Sequence, residues 1–189
     1  MSMSADVVER LNLGWDEKWP KTSPDGPVLR TEHGDRWVRF HSLPESKRYA
    51  DTEAEHAIVL ERHHAVLDEL GAGRDCFVLS LGHDRDRLAR LLSDFHEPAP
   101  RLWGTMDTGE DQPDELYVCV LTHPSPALDA VLRTVADDVL GNVTIAPPDL
   151  RWLYHPYDGG GDVIAPSPSD RDRISKKFAE WRPRNPEGL

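Results

Sequence analysis

Cysteine is scarce in this chain, which contains only Cys76 and Cys119 among its 189 residues. Both lie inside apolar runs that are typical of strands, so we expect buried, reduced thiols rather than a disulfide. Neither belongs to a Cys-x-x-Cys pair. The sequence therefore gives no support to thiol chemistry.

Long apolar runs are missing as well. No segment approaches the roughly 18 consecutive apolar residues that a membrane-spanning helix needs. The first ten residues contain no basic stretch followed by an apolar one, which a secretory signal would require. We therefore predict a cytoplasmic protein with no membrane partner.

Basic residues are few relative to acidic ones, with 22 Lys and Arg against 34 Asp and Glu and a formal net charge of −12. This excess opposes non-specific attraction to nucleic acid or anionic lipid, so neither is an expected partner. Solubility alone would account for such a charge. The alternative is an acidic face that docks a basic protein partner, such as a toxin or a nuclease.

Familiar catalytic signatures are absent too. The chain contains no Gly-x-Ser-x-Gly, His-Glu-x-x-His or Gly-x-Gly-x-x-Gly motif, and no P-loop. We therefore predict no cofactor.

What the chain does contain is a series of strand-like and helix-like segments in alternation. Strands that are apolar throughout predict an α/β fold, with α+β as the alternative, built on a mixed β-sheet of about five to six strands with helices packed on it. A C-terminal β-hairpin is followed by a helix. The expected strands cover residues 36–41, 76–81, 116–122 and 143–146, and the main expected helices cover residues 52–70, 88–95, 126–139 and 167–181.

The chain length fits a single domain over residues 1–189. Residues 1–35 are rich in Pro and Gly and poor in periodicity, so we expect an irregular N-terminal arm that includes at most one short helix. The segment from Trp103 to Pro113 is expected to be a polar loop.

The most distinctive segment is Trp152–Asp162, which reads Trp-Leu-Tyr-His-Pro-Tyr-Asp-Gly-Gly-Gly-Asp. Three consecutive glycines permit positive φ and so predict a tight turn between two strands. A purely structural hairpin is one reading. The other is an exposed docking surface, whose candidate binding residues are Trp152, Tyr154, Tyr157, Asp158 and Asp162.

Histidines follow two of the predicted strands. His83 and Asp84 stand at one strand-to-helix junction, and His123 and Ser125 stand at the other. Ligands of open α/β sheets bind near such junctions, so His83 and His123 are candidate general bases if their strands are neighbours. The simpler reading is that these residues are loop residues and helix caps.

The first long predicted helix contains two Glu-x-x-His pairs, Glu53 with His56 and Glu61 with His64. Such pairs occur in metal sites of helical bundles. Here they share one helix, and His56 lies seven residues from His63, about 10 Å along the axis. That spacing is too long for two ligands of one metal, so we predict core histidines and no metal site.

Two sequence blocks resemble a family of uncharacterised bacterial proteins that share a domain of unknown function. They are residues 37–49 and residues 152–162, the latter followed by Arg171-Asp-Arg173, Trp181 and a Pro-Glu-Gly-Leu end. The resemblance implies a cytosolic bacterial protein and provides no catalytic residues. Small acidic families of this kind include immunity and antitoxin proteins, which is an analogy of class only.

These observations favour a cytosolic protein-binding module without catalysis. The alternative is a small-molecule enzyme or sensor with a cleft around His83 and His123.

Overall fold

A computed structural model describes residues 3–73, 75–106 and 113–183, with side chains from residue 7 onward. Seven strands form one sheet in the order β1-β7-β6-β5-β2-β4-β3. Their bounds are β1 Trp37–His41, β2 Asp75–Leu81, β3 Arg101–Met106, β4 Asp114–Thr122, β5 Thr144–Ala146, β6 Leu153–Tyr157 and β7 Gly160–Ile164.

Six α-helices accompany the sheet, and none of those in the described ranges has both the length and the apolar character needed to cross a bilayer. Their bounds are α1 Met3–Lys18, α2 Gly26–Glu32, α3 Glu53–Glu69, α4 Arg85–Ser93, α5 Pro126–Ala136 and α6 Pro168–Lys177. Single 3₁₀ turns stand at Pro44–Ser46, Gly82–Asp84 and Ala179–Trp181.

Helices cover both faces of the sheet. On one face, buried side chains of α3, α4, α5 and α6 pack against strand residues such as Val78, Ile145 and Val163. On the other face, the N-terminal helices pack against the alternate strand residues, among them Phe77 and Leu153. The two cores follow from the period-two alternation of side chains along a strand.

The predicted combination of helices with a sheet is confirmed, as is the C-terminal hairpin followed by a helix. The sheet has seven strands rather than five to six, and each pairing between them is antiparallel rather than mixed. Continuous apolar strands are usual in parallel sheets because helices cover both faces. Here the N-terminal helices supply the second cover, so an antiparallel sheet acquires the same sequence pattern.

The composition of the N-terminal segment predicted an irregular arm, but the segment contains the helices α1 and α2. Leu11, Trp15 and Trp19 bury almost completely against the sheet, together with Leu29 of α2. The start of α2 lies so close to β6 that a Cβ at Gly26 would come within 2.4 Å of the His155 ring. Burial of large apolar side chains thus overrides the weak helical pattern of this segment.

Three of the later helices begin with a side-chain cap, among them α5 at Ser125, whereas Asp84 makes no capping hydrogen bond at the start of α4. The hydroxyl oxygens of Thr52, Ser125 and Ser167 accept hydrogen bonds from the backbone N–H three residues later, at 3.2, 3.2 and 3.1 Å. Gly71 ends α3 with φ +72°, the left-handed conformation expected of a helix-terminating glycine.

The predicted turn is also present, but two of its glycines serve another purpose. Tyr157 pairs with Gly160 across a two-residue turn. A Cβ at Gly160 would lie 2.0 Å from the Phe40 carbonyl oxygen, and one at Gly161 would lie 2.3 Å from the Tyr154 hydroxyl. Close packing, rather than positive φ, is what requires glycine at these two positions.

Candidate functional site

A cavity lies between the N-terminal helices and the edge strand β3. It has a volume of about 800 Å³, and its lining includes Trp15 and Trp103, whose rings are in edge-to-face contact. Their ring centroids are 5.1 Å apart with the planes at 69°. This volume falls in the range of ligand-binding clefts. We call this cavity the arm cleft.

A β-bulge shapes one wall of the arm cleft. The register of β3 against β4 shifts between Leu102 and Gly104, which makes Trp103 the additional residue. Bulges redirect a side chain out of the regular alternation. The Trp103 indole N–H donates to the Asn12 side-chain oxygen on α1, so the bulge joins the edge strand to the N-terminal arm.

Polar and charged groups line the floor and rim of the arm cleft. Asp16 and Asp25 contribute carboxylates, and Lys21 contributes an ammonium group. Thr22 is buried and donates its hydroxyl hydrogen to the Glu32 carboxylate at 2.7 Å. The lining of the cleft therefore combines aromatic side chains with two acidic side chains and one basic side chain.

The strand β3 carries backbone groups that can pair further. Among the described residues β3 pairs on one side only, with β4. Leu102 on this strand is 52% exposed. An edge strand of this kind can accept an additional extended segment.

The sequence did not point to the arm cleft. Trp103 begins the segment predicted as a polar loop, of which residues 103–106 belong to strand β3 and residues 107–112 lie outside the described residues. The cleft brings Asn12 and Trp15 to residues that follow about 90 positions later, as the separation of 91 between Asn12 and Trp103 illustrates. A pairing over that separation leaves no local signal.

The structure does not make the glycine hairpin a docking surface. Trp152 and Tyr154 are 0% and 2% exposed and belong to the core under α3 and α5. They share one face, as the strand alternation predicts, but helices cover that face. Both candidate binding residues are therefore core residues.

The remaining candidate binding residues of the hairpin contact arginine side chains. Asp162 accepts two hydrogen bonds from Arg39, at 2.6 and 2.8 Å, and Asp158 accepts one from Arg48 at 2.5 Å. The partly exposed Tyr157 ring lies under Arg39, 5.0 Å from guanidinium carbon to centroid. The two aspartates thus attach the hairpin to β1 and to the loop that follows it.

His83 and His123 do not share a cleft. Their strands β2 and β4 are neighbours but antiparallel, with Leu81 opposite Leu116 and Asp75 opposite Thr122. The two histidines therefore follow opposite ends of the pair, separated by about 20 Å at roughly 3.4 Å per residue. A general-base role that involves both on one substrate is incompatible with this register.

The surroundings of these two histidines also differ. The His83 side chain is 58% exposed and lies 3.4 Å from the buried Asp84 carboxylate. It borders a shallow cavity of about 380 Å³ beside Thr105, Asp114 and Glu115. His123 is buried and has its Nε2 3.1 Å from Nδ1 of His64.

A string of polar side chains continues from His123. The Nε2 of His64 lies 2.6 Å from an Asp129 carboxylate oxygen, and the exposed Asp68 carboxylate lies 3.9 Å from His123. Burial and the neighbouring His64 lower the pKa of His123, opposed by Asp68 and Asp129. These contacts connect α3 to α5, and they form only because the two helices pack together.

The Glu-x-x-His pairs on α3 do not form a metal site. His56 lies 2.7 Å from the Asp137 carboxylate, and Glu53 pairs with Arg133. Over the described ranges, with residue 74 and residues 107–112 left aside, no three His, Cys, Asp or Glu side chains converge closely enough to hold a metal ion.

The two thiols are buried and unpaired. Burial raises the pKa of Cys76 to about 11 and that of Cys119 to about 12, with smaller contributions from Asp75 and Glu97 respectively. Nucleophilic thiol chemistry needs a thiolate, which these surroundings disfavour.

Comparison with known proteins gives one match. No curated protein and no solved structure resembles the chain significantly. A family model for a domain of unknown function (DUF3885) matches residues 26–186. That range includes the sheet and the helices from α2 onward but not α1, so the helix that supplies Asn12 and Trp15 to the arm cleft lies outside it. Because the match covers most of the sequence, this chain belongs to the family described as a domain of unknown function, DUF3885.

Proposed function

We propose that this protein is a non-catalytic, cytoplasmic binding module that holds a basic, extended segment of a partner protein in the arm cleft. The observation that carries the proposal is the edge-to-face pair of Trp15 and Trp103 in the lining of an 800 Å³ cleft, beside the edge of β3 that no other described strand covers. Neutralisation of a basic toxin or nuclease, as immunity and antitoxin proteins do, is one form of this function.

Aromatic faces and carboxylates together favour a cationic ligand. A Lys or Arg side chain over an indole gains about 0.5–2 kcal/mol, depending on its desolvation. Asp16 and Asp25 add charge attraction at the same place. The formal net charge of −12 also accelerates the approach of a basic partner at low salt.

The extended form of the ligand is proposed from the edge strand. Among the described residues the outer edge of β3 has no neighbouring strand, and Leu102 presents an apolar side chain beside it. Main-chain hydrogen bonds would supply affinity, and the indoles would select side chains at alternate positions.

The alternative of an enzyme or sensor is less well supported. It relied on His83 and His123 in one cleft, and the antiparallel register separates them. Each histidine instead has a local carboxylate or imidazole neighbour. The two buried thiols support the cytoplasmic location, because reduced cysteines are usual there.

Fluorescence anisotropy of labelled ten-residue peptides tests the binding proposal. Three peptides share one alternating apolar pattern and differ in having lysine and arginine, glutamine, or glutamate at the polar positions. We expect the basic peptide to bind most tightly, with an affinity that falls as salt increases. Equal binding of all three peptides would contradict the proposal.

Variants then locate the site. Asp16→Asn removes a cleft carboxylate, and Trp103→Leu removes one indole. The matched control is Asp172→Asn, which removes an exposed carboxylate from α6 on the other side of the sheet. We expect each cleft variant to weaken binding of the basic peptide about 2- to 30-fold, as 0.5–2 kcal/mol implies. An equal loss for Asp172→Asn would rule out the arm cleft as the site.

A further inference from the structure

A second, much smaller cavity lies on the other side of the sheet, between the end of β1, helix α3 and the C-terminal 3₁₀ turn. Its volume is about 10 Å³, which is about the minimum that one water-sized species needs. Its lining includes Ser42, Arg62, His63, Tyr154, Gly161 and Trp181. It is far from the arm cleft, because the sheet separates the two.

Two side chains in this lining are buried without a hydrogen-bond partner. Ser42 and His63 are each 2% exposed. Within the described part of the chain, neither the Ser42 hydroxyl oxygen nor the His63 Nε2 has a partner. Buried polar groups almost always have one, and leaving a group unsatisfied costs about 1–3 kcal/mol.

The contact between His63 and Tyr154 fixes the imidazole tautomer. The Tyr154 hydroxyl lies 2.5 Å from His63 Nδ1. Burial raises the pKa of Tyr154 well above its usual value and lowers that of His63 to about 3, so the phenol is protonated and the imidazole neutral. Since His63 is the phenol's hydrogen-bond partner, the O–H donates to Nδ1, and the proton of His63 lies on Nε2. The unpartnered atom is therefore a donor.

Arg62 adds positive charge at the same cavity. Its Nη1 donates to the His41 carbonyl at 2.9 Å, and its guanidinium lies 5.0 Å from the Trp181 ring centroid. Burial lowers the pKa of Arg62, opposed by the charge of the neighbouring Glu61. Among the described residues no carboxylate comes within ion-pair distance of the guanidinium, so its N–H groups can still donate to a ligand.

We propose that this cavity is a small-anion site, which takes a halide such as chloride or one oxygen of a small carboxylate. The Ser42 hydroxyl and the His63 Nε2–H would donate to the anion, and Arg62 would balance its charge. All three groups can act as donors, and a ligand that only accepts hydrogen bonds satisfies them together. Water is the other species that would satisfy the two neutral donors, and the comparison of salts below distinguishes it from an anion.

Equilibrium unfolding of the full chain at constant ionic strength tests the site. We compare the sodium salts of chloride, bromide, formate and gluconate, the last of which is too large for the cavity. A ligand at ten times its dissociation constant raises the ratio of folded to unfolded protein about tenfold. We expect such a rise with at least one small anion relative to gluconate. A halide-only effect identifies a halide, and an added effect of formate extends the site to carboxylates.

Crystals grown in bromide provide a second readout that does not depend on stability. We expect an anomalous peak within hydrogen-bond distance of Ser42 Oγ and His63 Nε2. If that peak is absent and all four salts give the same stability, the cavity holds only water and the proposal is wrong.

Variants assign the effect to the cavity. Ser42→Ala and Arg62→Met should abolish the stabilisation by the small anion, whereas Arg90→Met, which removes an exposed guanidinium from α4, should keep it. If Arg62→Met does not fold, bromide occupancy in Ser42→Ala crystals decides: a clear decrease supports the site, and unchanged occupancy overturns it. Peptide binding in the arm cleft is measured separately, so either proposal can fail alone.

Discussion

Arg39 and Asp162 lie opposite each other in the register of β1 and β7. Their side chains form a bidentate ion pair, in which the guanidinium donates to the two carboxylate oxygens at 2.6 and 2.8 Å. The side chains are 14% and 6% exposed. The guanidinium also lies near the rings of Trp37 and Tyr157. One charge pair thus joins the first strand of the sheet to the C-terminal hairpin.

Replacement of Asp162 by Asn should therefore destabilise the protein strongly. It removes one partner of a largely buried ion pair, a change that costs about 3–5 kcal/mol. Urea unfolding measures the loss, and Asp172→Asn is the control because its pair with Arg171 is exposed and contributes about 1 kcal/mol or less. Similar losses for the two variants would show that the Arg39–Asp162 pair is not a structural anchor.

Alanine at Gly160 or Gly161 should also destabilise the fold. The new methyl group would collide with the Phe40 carbonyl oxygen in the first case and with the Tyr154 ring in the second. Overpacking of this kind costs about 1–3 kcal/mol. Gly73→Ala is the control, because among the described residues, its chain neighbours aside, no atom lies within 4 Å of the position that its Cβ would take. The comparison requires free energies of unfolding for all three variants, and a neutral effect at Gly160 would contradict the close approach to β1.

Stability should decline in acid because of His63. Burial lowers its pKa from 6.5 to about 3, with a smaller effect from His64. Between these two pH values the unfolded chain binds the proton and the folded chain does not, so the free energy of unfolding falls as the pH decreases from 6.5 towards 3. The slope that one such histidine contributes is about 1.4 kcal/mol per pH unit.

His63→Gln removes that titration and should reduce the slope between pH 6.5 and 4.5, even though it lowers stability at pH 7. Urea unfolding across this range measures the slope, with the exposed His83→Gln as the control for the loss of an imidazole. An unchanged slope in His63→Gln would mean that other groups cause the acid dependence.

The two thiols should be inert in the folded protein. Burial raises the pKa values of Cys76 and Cys119 to about 11 and 12, so almost no thiolate exists at pH 8, and both residues are buried. A disulfide reagent added at pH 8 should therefore react slowly with the native protein. In urea it should modify both thiols quickly, and fast reaction of the native protein would show that the core opens.

Local patterns in the sequence predicted most of the elements correctly. The helix caps Thr52, Ser125 and Ser167 act within four residues of themselves, so their effect can be read without the fold. The apolar strands β2 and β4 are equally plain. The edge strand β3 was missed because its residues are half-exposed and a bulge at Trp103 breaks their alternation.

The candidate sites were predicted less well, for one physical reason. Strand direction decides where strand ends lie, and no residue in β2 or β4 encodes that direction locally. With parallel strands His83 and His123 would have met at one edge of the sheet; with antiparallel strands they lie at opposite ends. Likewise, the sequence shows that the hairpin is rich in aromatic residues, but it does not show that these are buried. The helices that bury Trp152 and Tyr154 come from elsewhere in the chain.

By itself the sequence determined the scarcity of thiols, the acidic balance, the order of helices and strands from α3 onward except for β3, and the terminal hairpin, because composition and short-range periodicity are local properties. Only the tertiary structure decided what covers each face of the sheet, which histidines meet, and that Trp15 and Trp103 come together in the lining of a cleft. These depend on contacts between distant segments, where burial of apolar surface outweighs any local preference.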